Sequence, residues 1–133
     1  MRCVFDRLKA GVLDVGYAEL GPAHGPVVIC LHGWPYDIHS YVDVAPLPAG
    51  QGYRVIVPYL RGHGTTRFRS ARTFRNAQQS AIAMDVIALM DALKIERAVL
   101  AAFPRRRRRP SRGPSSTPIT SEACPRYGHR SEW

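Results

Sequence analysis

Two kinds of apolar run organise the chain. Val27-Val28-Ile29-Cys30-Leu31 is continuous and largely β-branched, with Pro26 before it and His32-Gly33 after it. Continuous rather than alternating apolar character predicts a strand covered on both faces. Tyr53-Arg54-Val55-Ile56-Val57 repeats the pattern after a break at Gly50 and Gly52, and Pro58 closes it. Ala98-Val99-Leu100-Ala101-Ala102 supplies a third such run. Residues 12–20 mix strand formers with polar residues, which predicts an outer strand ending at Gly21 and Pro22.

Helical spacing is clearest over residues 76–93, where Ile82, Val86, Leu89, Met90 and Leu93 recur on one stripe and neither Gly nor Pro interrupts. That stripe is core packing, and the same periodicity puts Asp85 and Asp91 on the solvent side. Residues 40–49 have room for a short helix, although Pro46 and Pro48 oppose it. Strand, helix, strand, helix, strand predicts a mostly parallel sheet with right-handed crossovers and flanking helices. Ligands in such sheets bind beyond the carboxyl ends of the strands. Here those places are His32-Gly33-Trp34-Pro35, residues 59–66, and the segment after Ala102.

After Phe103 the chain changes character. Residues 104–133 hold five prolines, five serines and the run Arg105, Arg106, Arg107, Arg108 and Arg109. The formal charge of +9 is uneven: eleven Lys/Arg against eight Asp/Glu before residue 104, and eight Arg against two Glu from there on. By composition the segment is a disordered basic tail. The rival reading is a nonspecific nucleic-acid-binding protein that grips phosphates through Arg105–Arg109.

Cys3, Cys30 and Cys124 are odd in number and lack CxxC spacing, so neither a disulfide framework nor a metal site is expected. Cys30 reads as a small buried hydrophobe. No run approaches the roughly 18 apolar residues of a membrane span, and the N-terminus lacks a long apolar core. A soluble cytoplasmic protein without cofactor or specific protein partner is the resulting expectation.

His32-Gly33-Trp34-Pro35 with Asp37, joined after the next strand by Arg61-Gly62-His63-Gly64, resembles the α/β-hydrolase superfamily. The branch resembled is that of epoxide hydrolases and haloalkane dehalogenases, over residues 12–103. The resemblance implies that His32-Gly33 opens an oxyanion loop whose Trp34 amide faces developing negative charge. His32 is then structural, its ring fixing the loop, and Asp37 hydrogen-bonds the loop backbone. Trp34 lines a substrate pocket or caps the core. Arg61-Gly62-His63-Gly64 becomes a tight loop beside the active site, with Arg61 pairing a loop carboxylate such as Asp37. That segment lacks the residues of a phosphate loop.

The same resemblance implies a nucleophile on a tight turn after the third strand, in Gly-x-Ser-x-Gly or Gly-x-Asp-Trp-Gly. Alignment through Phe103 puts Pro104 there, which has neither a nucleophilic side chain nor an amide donor. The family's acid, histidine and lid have no recognisable counterpart, and His129 comes too soon after the last strand to be the base. Residues 1–103 are therefore expected to form an incomplete α/β-hydrolase core, the N-terminal half of the fold. The tail is expected to be a frameshift product, because Arg, Pro and Ser are what a GC-rich strand yields out of frame. Hydrolysis is expected at or near the uncatalysed rate, and the isolated chain is expected to be aggregation-prone or partly molten. A second rival is a small active hydrolase using His32 or His63 with a nonstandard partner.

Overall fold

The computed structural model describes residues 4–102 and 118–120. Seven strands make one mixed sheet: β1 (Val4–Ala10), β2 (Leu13–Leu20), β3 (Val27–Leu31), β4 (Arg54–Pro58), β5 (Arg67–Phe68), β6 (Arg97–Ala102) and β7 (Pro118–Thr120). The order is β1-β2-β4-β3-β6-β7, with β5 added to β2. The parallel part is β4-β3-β6, in register Ile29↔Ile56 and Ile29↔Leu100. It comprises the three strands expected from their continuous apolar runs. Every other pairing is antiparallel.

β3 shows why such a run needs two covers. Ile29 and Leu31 face one cluster, while Cys30, with Val28 partly buried, faces the other. The first cluster is closed by a long helix (Gln79–Ala92), the second of two and hence α2, through Val86, Leu89 and Met90, with Leu13, Val15 and Tyr17 from β2. The second is closed by the 3-10 turn Ile38–Tyr41 and the short helix α1 (Pro46–Gly50), which bring Ile38, Tyr41, Ala45 and Ala49 onto Val55 and Val57. α1 forms despite its prolines because Pro46 and Pro48 lie in its first turn, where amide donors lack intrahelical acceptors anyway.

Three expectations need correction. β2 is not an outer strand but lies between β1 and β4. β1 is an additional strand; with Val4 and Phe5 exposed, its sequence carries little burial signal. α2 starts at Gln79 rather than residue 76, since the Asn76 carbonyl accepts a hydrogen bond from the Arg61 side chain. It stops at Ala92 because Lys94 takes a left-handed conformation (φ 56°) that returns the Ile95 amide to the Met90 carbonyl at 2.8 Å.

The edge of β6 is paired with β7 over Arg97–Val99. The face of β6 on the α1 side is less well covered. Val99 remains 37% exposed, whereas Ala98 and Leu100 are buried on the α2 side.

Candidate functional site

The carboxyl ends of β3 and β4 bring both expected loops together. His32, directly after β3, is 3% exposed. Its Nε2 accepts the Leu60 amide at 3.1 Å, and its Nδ1 lies 3.4 Å from the Gly33 carbonyl. An accepting Nε2 places the ring proton on Nδ1, which fixes the neutral tautomer. Desolvation lowers the pKa of His32 below its ordinary 6.5, and the nearby His63 acts in the same direction. His32 is thus a strut between the two loops.

His63 stands edge-on to His32 with ring centroids 4.8 Å apart, and its Nδ1 lies 3.2 Å from the Arg61 carbonyl. The glycines beside it have distinct reasons. Gly62 sits at φ +79° and Gly64 at φ +49°, both unfavourable for other residues, and the Tyr59 ring also occupies the space of a Gly64 side chain.

After His32, Gly33 accepts the Tyr36 amide at 2.8 Å and turns the chain, so that Trp34 stands 81% exposed. The Trp34–Pro35 peptide is cis. The Trp34 amide has no hydrogen-bond partner among the described residues. Trp34 therefore does not cap the core. Asp37 then caps the 3-10 turn, accepting the His39 amide at 2.8 Å and lying 2.9 Å from the His39 ring. These contacts with His39 hold its carboxyl below the ordinary carboxylate range.

Arg61 does not pair with Asp37. It is 9% exposed and turns toward α2, where Nε and Nη2 each meet an oxygen of Asp85 at 2.7 Å. Nη1 donates to the Asn76 carbonyl and side-chain oxygen, and Nη2 also reaches the Ala81 carbonyl. This corrects the solvent-side assignment of Asp85: the carboxylate is drawn inward because a buried guanidinium needs a counter-charge. Asp91 is exposed, as its position on the helix predicts.

Two residues of this framework escape sequence reasoning. The Tyr41 hydroxyl lies 2.8 Å from the Leu31 carbonyl and 3.1 Å from that of Ala101, tying the 3-10 turn to the ends of β3 and β6. Thr66, 2% exposed, donates to the Tyr59 carbonyl and accepts the Gly16 amide, which anchors the second loop on β2. A single hydroxyl has no periodicity or spacing to reveal it. Among the described residues no group of three His, Cys, Asp or Glu could hold a metal ion.

Register carries the site across the sheet. Leu31 pairs with Ala102, so β6 ends beside the start of the His32 loop. Pro104, Arg105–Arg109 and His129 lie outside the described residues.

The model of the alpha/beta hydrolase fold matches residues 26–103. The chain belongs to this family. A crystal structure from Klebsiella pneumoniae assigned as an epoxide hydrolase shares 61% identity with this hydrolase-family chain at a TM-score of 0.73, covering 74% of the chain and 33% of that protein. Fluoroacetate dehalogenase of a Burkholderia species is 32% identical over 106 residues, 77% of the chain and 34% of that enzyme. Epoxide hydrolase B of Mycobacterium tuberculosis is 33% identical over 75 residues, 56% of the chain and 20% of that enzyme. The chain spans about a third or less of the length of these relatives. The family match ends one residue before Pro104.

Proposed function

We propose that this alpha/beta hydrolase relative builds the oxyanion loop of an epoxide-hydrolase or dehalogenase site but is catalytically incomplete. Residues 1–103 are the N-terminal half of a hydrolase core, and residues 104–133 are a basic tail that replaces its continuation. In the intact relative the ligand is a small molecule with a strained C–O or a carbon–halogen bond. The Trp34 amide takes the oxyanion role, with His32, Gly33, Pro35 and Asp37 shaping its loop. Arg61, Gly62, His63 and Gly64 support that loop from behind.

The observation that carries the reading is the place where family likeness stops. It runs through the strand that should deliver the nucleophile and ends at Phe103. Pro104 then stands where a carboxylate or hydroxyl is needed. With no nucleophilic side chain at that position, hydrolysis stays at or near the uncatalysed rate. The tail is read as an out-of-frame product. Translating the coding strand in its other frames past codon 103 tests this: one of them should restore an Asp-Trp-Gly-like turn and continue for well over a hundred codons. An absence of any such frame sinks the frameshift. Turnover of epoxide or fluoroacetate by the purified chain, above the rate in buffer, would overturn the catalytic part.

A further inference from the structure

Between Asp43 and Asp85 the chain contains six arginines and no acidic residue. Two of the six are neutralised inside the fold, Arg54 by Glu19 and Arg61 by Asp85. The other four, Arg67, Arg69, Arg72 and Arg75, fall within nine consecutive residues and are all exposed. None of them has a carboxylate within ion-pair distance among the described residues, where the ion pairs are Arg7–Asp14, His39–Asp37, Arg54–Glu19 and Arg61–Asp85. An exposed segment that leaves four guanidiniums, close together in sequence, without a carboxylate partner carries positive charge without internal compensation.

The segment also holds three of these charges, Arg67, Arg69 and Arg75, in place. Arg67 donates to the Gly64 and Thr66 carbonyls. Arg69 donates through its side chain to the Gly11 carbonyl, while its amide bonds the Val12 carbonyl. Arg75 stands over the Phe68 ring at 5.6 Å, and that ring also meets Arg61 at 5.8 Å. Between Arg72 and Arg75, Phe74 presents its ring to solvent at 79% exposure, and nothing in the described residues covers it. Each guanidinium keeps N–H donors free for bidentate contact with phosphate oxygens, the geometry in which Arg excels over Lys.

We propose that residues 67–75 form a docking surface for single-stranded nucleic acid. Arg67, Arg69, Arg72 and Arg75 take the backbone phosphates and Phe74 stacks on a base. Interleaved arginines and an open aromatic ring are the combination by which single strands are held without sequence preference. A membrane surface suits the segment less well. Phe74 is one ring on an irregular stretch, turned by the Thr73–Ser70 backbone bond, whereas interfacial anchoring uses a helix with a whole apolar face. The segment is distinct in sequence from Arg105–Arg109, and the proposal does not depend on the proposed hydrolase chemistry.

Fluorescence anisotropy of a labelled oligothymidine tests this, using the full chain in which Arg105–Arg109 are replaced by serine. Binding should persist in that background, with log affinity falling against log salt at a slope of about −3 for four phosphate contacts. Arg72→Ser with Arg75→Ser should lower the slope by about 1.4. Phe74→Ala should weaken binding about tenfold with an unchanged slope. All three side chains are exposed, so the variants leave the core intact. Loss of all binding with the tail arginines would overturn the proposal. So would binding to phosphatidylserine vesicles without binding to the oligonucleotide, or an affinity indifferent to Arg72, Phe74 and Arg75.

Discussion

Arg61 grips both carboxylate oxygens of Asp85 at 2.7 Å, joining the loop after β4 to the first half of α2 across a nearly dry contact. The two side chains are only 7% and 13% exposed. Breaking one half of such a pair leaves an uncompensated buried charge, at a cost of about 3–5 kcal/mol. Asp85→Asn should therefore open residues 60–66 and the start of α2, with amide protection there falling about a hundredfold or more. Protection in β3 and β4 should change far less, since Ile29, Val55 and Ile56 lie in the two cores. Hydrogen exchange read by mass spectrometry checks this. The double variant Arg61→Met with Asp85→Leu should cost less than the two single changes added, because it removes both charges together.

The His32 strut gives the loops a pH dependence. Burial lowers the folded pKa of His32 below its ordinary value of 6.5, so the closed state favours the neutral ring. Above the ordinary value both open and closed states are neutral and the contact is fully present. As pH falls through 6.5 toward the lowered folded value, the open state takes up a proton that the closed state refuses, and closure weakens. Protonated Nε2 would also confront the Leu60 amide donor to donor. Asp37 acts against this trend, while the adjacent His63 reinforces it. Protection of the Leu60 amide, corrected for intrinsic exchange, should fall between neutral pH and about pH 5. His32→Asn should flatten that dependence.

Cys30 is 2% exposed, and burial pushes its thiol up to about 11. The native thiol should resist a thiol-specific reagent at neutral pH and react promptly in urea. Peptide mapping separates it from Cys3 and Cys124. Fast native labelling at Cys30 would show that the second core is not closed.

The margin of the second core, beyond the closed packing around Cys30, is where instability should appear. Val99 remains 37% exposed on the side of β6 facing away from α2, and Val42 and Leu47 are exposed beside α1. A sheet face left open in this way predicts a broad thermal transition and binding of an apolar dye under native conditions. A sharp, high-enthalpy transition in a monomeric sample would contradict it.

The contrast between β3 and Arg61 shows how much is legible in the sequence. β3, β4 and β6 can be read because residues buried on both faces must be continuously apolar. The α2 stripe can be read because Val86, Leu89 and Met90 recur with the helical period. His32 can be placed as a strut through its motif, and the structure adds that its partner is the Leu60 amide. The Arg61 partner cannot be read. Periodicity reports which residues are apolar, not which carboxylate a buried guanidinium recruits, and Asp85 has the helical position of an ordinary surface residue. β1 is hidden for the converse reason: with Val4 and Phe5 exposed, and burial limited to Ala10 and in part Leu8, the strand has too little buried face to impose a pattern. Tyr41 and Thr66 act through single hydroxyls on backbone carbonyls, which leave no trace in the sequence.

In the proposed function the oxyanion framework is present and the nucleophile is not. The most direct measurement compares the 133-residue chain with the protein translated in the alternative frame after codon 103, on an epoxide and on fluoroacetate under the same conditions. Turnover is expected from the frame-restored protein alone, with this chain at the rate of buffer. Turnover by the 133-residue chain that disappears on changing Trp34 or Asp37, but survives loss of the tail arginines, would contradict it.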